Sequence, residues 1–196
     1  SILTANGILK LEDSKIVNEH SKPVYLKGCN LGNWLMLEMW MLDYHNFSEN
    51  GIEDQYRFIK TLEDRFGKDK AETLMDIYRE NWINEDDFDV VKSYGMNTIR
   101  LPFDYKILMN SDARPFKLKE NAWYWLDFAI KVAKSKNMYV ILDMHGAPGR
   151  QSEMDHSGRS GYNKLWTNKD YQDQMVWLWE KISDRYINEP VVAAYD

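Results

Sequence analysis

Apolar positions along this chain follow two alternating rhythms. From Asn121 to Ser135 they recur every three or four residues: Ala122, Leu126, Ala129, Ile130 and Ala133 form the stripe of a helix with one buried face. Met138-Tyr139-Val140-Ile141-Leu142-Asp143 follows as a nearly continuous apolar run, which predicts a strand covered on both faces. Val24-Tyr25-Leu26-Lys27 predicts another strand, ending at Gly28. Asn97-Thr98-Ile99-Arg100-Leu101 predicts a third, ended by Pro102, and Val191-Val192-Ala193-Ala194-Tyr195 begins a fourth. Helices are predicted over 54–66, closed by Gly67, and over 70–80. A well-marked helix starts at an Asn84 N-cap, carries Glu85, Asp86 and Asp87 in its first turn, puts Phe88, Val91 and Tyr94 on one face and closes at Gly95. The stretch 167–187 is helical, with Met175, Leu178, Trp179, Ile182 and Tyr186 on one side, and Thr167 with Asp170 resembles a capping box. Ahead of these, Ile8-Leu9-Lys10-Leu11 and Ser14-Lys15-Ile16-Val17 flank Glu12-Asp13 and predict a small hairpin within an N-terminal segment 1–22.

Strand, helix, strand in repetition implies a parallel sheet covered by helices. Two α/β architectures satisfy that order. A doubly wound sheet would often carry a Gly-rich phosphate turn after a strand. Gly146-Ala147-Pro148-Gly149 comes nearest, yet a long polar loop follows it, not a helix. A (β/α)8 TIM barrel, whose site is built from loops after the strands, fits better. Four strands make about half of such a barrel, which needs roughly 250 residues. The reading is therefore one portion of a single barrel over 1–196, with the first four strands and their helices in 23–196 and no internal domain boundary.

Charge and composition narrow the partners. The net charge of −6, from 31 acids and 25 bases, argues against nucleic acid or an anionic membrane, both of which need a basic face. No apolar run approaches the 18 or so residues of a membrane span. Cys29 is the single cysteine, so no internal disulfide forms. Ser1-Ile2-Leu3-Thr4-Ala5-Asn6-Gly7 lacks a basic stretch followed by an apolar one, so a secretory leader was either never present or has been removed. The 8 tryptophans and 12 tyrosines supply rigid flat surfaces that suit either a core or a pyranose ring.

Barrel chemistry sits at the carboxyl ends of the strands. There the predicted strands deliver Asn30, Arg100 and, through Asp143-Met144-His145, His145 toward one mouth. Arg100 reads either as a structural ion-pair partner or as a group that holds a catalytic carboxylate ionised. His145 reads as a core histidine or a site residue. Asp143, His145 and His156 also admit a metal site, without the spacing of a recognised metal motif. The long polar loop after His145 offers Gln151, Asp155 and His156 as hydrogen-bonding partners for sugar hydroxyls.

Leu26-Lys27-Gly28-Cys29-Asn30-Leu31-Gly32-Asn33-Trp34-Leu35, Gly95-Met96-Asn97-Thr98-Ile99-Arg100-Leu101-Pro102 and Leu142-Asp143-Met144-His145-Gly146-Ala147-Pro148-Gly149-Arg150-Gln151 occur in this order. Together they resemble the family 5 glycoside hydrolases, in their exo-β-1,3-glucanase-like branch. The resemblance implies a retaining mechanism with two glutamates: an acid/base after the fourth strand in an Asn-Glu-Pro motif, and a nucleophile after the seventh. Two carboxyls roughly 5 Å apart suit a covalent glycosyl-enzyme route. Asn188-Glu189-Pro190 is not that motif, because it precedes the last strand and would face the bottom of the barrel. Asp196 resembles the first residue of the run leading to the acid/base, so both glutamates are expected beyond it and the given chain alone would be inactive. By the same resemblance Arg100 contacts the nucleophile, His145 lies at the cleavage subsite, and Glu38 and Asp155 bind sugar. The sequence departs from the branch at Met154, in place of an aromatic, at His156, in place of Asn, and at Asp104, in place of a small residue. These changes bear on the linkage preference and leave the family resemblance intact.

The expected partners are an oligo- or polysaccharide of β-linked sugars and the remainder of the barrel. No cofactor or resident metal is expected, and the expected location is secreted or periplasmic. Two alternatives stand beside this reading: a non-catalytic sugar-binding half-barrel, and a metal-dependent barrel hydrolase using Asp143, His145 and His156.

Overall fold

The computed structural model describes residues 7–196, with Tyr44 described by its backbone alone; residues 1–6, where the segment 1–22 begins, lie outside the described residues. The hairpin forms from β1 (Lys10–Glu12) and β2 (Lys15–Val17), paired antiparallel. Its turn is made by Asp13 and Ser14, both at positive φ.

Four parallel strands then build one sheet in sequential order: β3 (Gly28–Asn30), β4 (Thr98–Asp104), β5 (Tyr139–Gly146) and β6 (Val192–Tyr195). Neighbours in space are neighbours in sequence, as in a barrel, whereas a doubly wound sheet reverses its order at a switch point. Helices α1 (Tyr44–Glu49), α2 (Gln55–Phe66), α3 (Lys68–Trp82) and α4 (Glu85–Ser93) connect β3 to β4. Helix α5 (Tyr124–Ser135) connects β4 to β5, and α6 (Lys169–Tyr186) connects β5 to β6.

Several boundaries differ from the sequence expectation, each for a local reason. Val24–Lys27 is not part of the ladder. The Val24 N–H donates to the Ile16 carbonyl of the hairpin, and the Asn97 side chain takes the Lys27 N–H at 2.8 Å and donates to the Tyr25 carbonyl at 2.9 Å. The strand begins at Gly28, which pairs with Thr98 so closely that a Cβ would fall 1.8 Å from the Thr98 carbonyl oxygen. Pro102 does not end β4. The Arg100 carbonyl accepts from Leu31 and the Asp104 N–H donates to Leu35, so the even positions of β4 turn their backbone groups toward β3. Ladder pairing with β3 stops at Asn30–Arg100, and the missing N–H of Pro102 falls in the gap beyond it.

The helix ends were mostly legible. Asn84 caps α4 with the reciprocal Asp87 contact of a capping box. Gly67, at φ 81, ends α2 and opens α3. Helix α6 is capped by Asn168, which accepts from the Asp170 N–H at 2.9 Å; Thr167 lies outside it.

One core joins sheet and helices. Ile99, Leu101 and Phe103 of β4 and Val140, Leu142 and Met144 of β5 pack against Phe88 and Val91 of α4, Leu126, Ala129, Ile130 and Ala133 of α5, and Leu178 and Ile182 of α6. Trp34, 1% exposed, packs edge-on against Trp125 and Phe128 and donates its indole N–H to the Arg79 carbonyl at 2.9 Å. That wedge fixes the chain after β3. The other face of the sheet carries Arg100, Asp104, Asp143 and His145, alternating with the core residues as the pleat requires.

Gly28→Ala is expected to lower folding stability by about 1–3 kcal/mol, because the added methyl meets backbone that has no room to retreat. A denaturation midpoint unchanged from wild type would contradict the close approach.

Candidate active site

Register places the polar residues. Asn30 lies level with Arg100 on the parallel pair β3–β4; on the pair β4–β5 Arg100 is level with Ile141, and two residues on Pro102 is level with Asp143. Residues 100 and 143 therefore share a face, and His145 follows one pleat further out toward the mouth.

The Asp143 carboxylate joins them. Its Oδ2 lies 3.0 Å from Arg100 Nη2 and 3.0 Å from His145 Nδ1. The Asp143 side chain is almost fully buried, so this charge is costly unless it is paired. Arg100 also reaches the end of β6: its Nε donates to Asp196 Oδ2 at 2.9 Å, with Nη2 at 2.8 Å from the same oxygen. One guanidinium thus links β4, β5 and the residue after β6. The Asp143 carboxylate, 3.0 Å from Nδ1, favours the protonated form of His145 and raises its pKa above the ordinary histidine value. Burial and the Arg100 charge oppose the rise, and Glu38 adds to it. A histidine so raised contributes stability that is fully present below its unfolded pKa, roughly 6.5, and is lost as pH rises through its folded value.

The remaining expected residues divide. Glu38 accepts the Trp40 indole N–H on Oε2 at 2.7 Å, and its backbone N–H donates to Asn33 Oδ1. The His156 ring stands 5.7 Å from that of His145. Asp155 opens the short 3-10 turn Asp155–Ser157 and lies with Glu53, Glu153, Met154 and Ser160 around a separate shallow depression. Gln151 has both ends of its amide engaged: Oε1 accepts from the Ala147 N–H at 3.1 Å and Nε2 donates to the His145 carbonyl at 2.6 Å. Its side chain braces the loop just beyond His145. No group of three His, Cys, Asp or Glu among the described residues is arranged to hold a metal ion, and Asp143 of the metal alternative is taken by Arg100 and His145.

Sequence reasoning did not reach the pair that anchors the loop. Asp104 and Arg150, with side chains 3% and 9% exposed, form a buried ion pair between the end of β4 and the loop after β5. Asp104 Oδ2 also accepts from Gln55 Nε2 at 2.7 Å, and its Oδ1 from the Lys106 N–H at 2.8 Å. Gln55 Oε1 accepts from the Leu37 N–H at 2.7 Å, and Arg150 Nη1 donates to the Ser157 carbonyl at 3.0 Å. Beside it the buried Asp54 caps α2 and takes the Ser160 N–H at 2.8 Å. Loops after three strands are thereby locked together. A cleft of 480 Å³ between α2, α3 and the end of β4 shares this pair and includes neither Arg100 nor His145. In the sequence Asp104 stands out only as a departure from the branch; the structure commits its carboxylate to Arg150 and Gln55, and Arg150 lies 46 residues away.

The sheet comprises four consecutive strands of a (β/α)8 barrel, with polar residues gathered at their carboxyl ends. The model of the family described as cellulase (glycosyl hydrolase family 5) matches residues 63–196, more than half of the chain. The chain belongs to glycosyl hydrolase family 5. It is 34% identical over 189 residues to a beta-xylosidase of Phanerodontia chrysosporium, covering 96% of this chain and 38% of that protein. It is 33% identical over 184 residues to a probable glucan 1,3-beta-glucosidase A of Aspergillus clavatus, covering 92% and 41%. The chain thus spans about two fifths of the curated relatives it matches. Among solved structures, the rutinosidase of Aspergillus niger superposes with a TM-score of 0.71 at 19% identity, over 86% of this chain and 48% of that one. An endogalactoceramidase superposes with a TM-score of 0.60 at 14% identity, over 97% and 43%. At these identities the likeness is one of fold.

Asp104→Ala is expected to destabilise the protein by about 3–5 kcal/mol, because it leaves Arg150 buried and unpaired. The double change Asp104→Leu with Arg150→Met is expected to recover most of that loss. Equilibrium denaturation of both variants checks the pair, and a double variant no more stable than the single one would contradict it.

Proposed function

We propose that this chain is the N-terminal part of a retaining glycoside hydrolase that acts on β-linked glucans or related β-glucosides. The observation that carries the reading is the Arg100–Asp143–His145 arrangement at the carboxyl ends of β4 and β5, in a chain of family 5. Two relatives named for β-linked xylose or glucose support the substrate class.

In this reading Arg100 is the electrostatic partner of the carboxylate nucleophile. A guanidinium beside a carboxylate keeps it ionised, as a nucleophile must be. Arg100 is suited to the task because Asp143 fixes its orientation, while Asp196 marks where a second carboxylate is accommodated. Asp143 on Nδ1 of His145 leaves Nε2 to hydrogen-bond a sugar hydroxyl at the point of cleavage. Asn30, Glu38 and His156 bind further hydroxyls, Gln151 steadies the backbone under His145, and Asp155 faces its own shallow depression beside Glu53 and Glu153. In this reading the acid/base and nucleophile glutamates lie outside residues 1–196, which without them do not turn sugar over. A polymeric glucan does not enter cells unaided, so the place of action is outside the cell.

The test is the anomer first released when the whole protein is incubated with β-1,3- and β-1,4-gluco-oligosaccharides and followed by NMR. The expected product is the β-anomer, and Arg100→Ala is expected to lower kcat by roughly a hundredfold or more. Release of the α-anomer would contradict the retaining route. Absence of cleavage on every β-glucan and β-xyloside would contradict the function.

A further inference from the structure

Tryptophan is the residue that folding most gains by burying, and six of the eight tryptophans are buried or half-buried. Trp40 and Trp166 are the two that stand out in solvent, at 62% and 64% exposure. Trp40 is tied to Glu38 and so belongs to the site already described. Trp166 has no role in that site.

Trp166 is nonetheless held in place. Its indole N–H donates to the Gln151 carbonyl at 2.9 Å, and its own carbonyl accepts from Gln172 Nε2 at 3.2 Å. The two residues before it are stitched to the root of the loop after β5: Lys164 donates to the Gly149 carbonyl at 2.7 Å and Leu165 to the Arg150 carbonyl at 3.2 Å. Gln151 in turn donates to the His145 carbonyl. Two successive residues' hydrogen bonds therefore separate the exposed indole from His145, on the mouth side of the sheet. Among the described residues the most exposed tyrosines, Tyr25 and Tyr94, precede β3 and β4 and lie at the opposite end.

An exposed ring with its polar edge already bonded presents only its apolar face to a ligand. The pyranose ring of a β-linked glucan has a flat face of C–H groups that matches such a surface. A ring already fixed loses little conformational freedom when it is covered. We propose that Trp166 is a stacking platform for a sugar ring of the chain beyond the one seated at His145, and so favours longer oligosaccharides over short ones. The inference rests on the glycoside hydrolase reading and adds to it a binding position and a preference for chain length.

The test uses the whole protein with β-1,3-gluco-oligosaccharides of two to five units, measured by calorimetry and by hydrolysis in the wild type, Trp166→Ala and Trp166→Phe. The quantity read is the ratio of affinity for the pentasaccharide to that for the disaccharide. Trp166→Ala is expected to reduce this ratio roughly tenfold, and Trp166→Phe to restore most of it. An unchanged ratio in Trp166→Ala, or an equal loss for short and long oligosaccharides, would overturn the platform while leaving the hydrolase reading in place. A wild type that neither binds nor cleaves any of the series would overturn both.

Discussion

The Asp143 carboxylate is the group on which the mouth of this barrel depends. It is almost wholly buried, and it is tolerable there because Arg100 approaches one side and His145 another, each at 3.0 Å. The constraint works in both directions. A buried charge selects the rotamers of its two partners, and those rotamers bring a guanidinium and an imidazole to the same carboxylate oxygen. Remove the carboxylate and Arg100 keeps only Asp196, whose side chain is half exposed, while His145 loses its Nδ1 partner.

A second buried pair does for the loops what Asp143 does for the strands. Asp104 and Arg150 tie the end of β4 to the loop after β5, and Gln55 brings in the segment after β3 through Leu37. Loops above a barrel are its most mobile parts unless they are cross-braced. Here the bracing hydrogen bonds are buried, so they are exchanged for water only at the cost of an uncompensated charge. His156 and Trp166 descend from this frame, and their placement relative to His145 is a consequence of it.

Much of this was legible in the sequence because it is local. The Asn84 cap, the Gly67 stop and the stripe of Leu126, Ala129, Ile130 and Ala133 depend on neighbours within a few residues, and all are found. That Asn30, Arg100 and His145 stand at one end of the sheet was legible once parallel strands were inferred, because parallel strands end together. What escaped was set by distant partners. Val24–Lys27 has the composition of a strand, but the Asn97 side chain and the hairpin take its backbone groups. Pro102 reads as a strand breaker, yet it occupies the one stretch of β4 with no partner on the β3 side. Gln151 reads as a sugar ligand by type, while the structure commits its amide to the backbone. The Asp104–Arg150 pair spans 46 residues and has no local signature.

The most direct test of the central claim is the titration of His145 by NMR in the wild type and in Asp143→Asn. If Asp143 governs the mouth, the wild-type imidazole titrates above the usual histidine value of roughly 6.5. In the variant, burial and the Arg100 charge act unopposed by Asp143, and the pKa is expected to fall below that value. The same pKa in both proteins would show that the carboxylate does not hold the histidine, and the arrangement of the site would have to be explained without it.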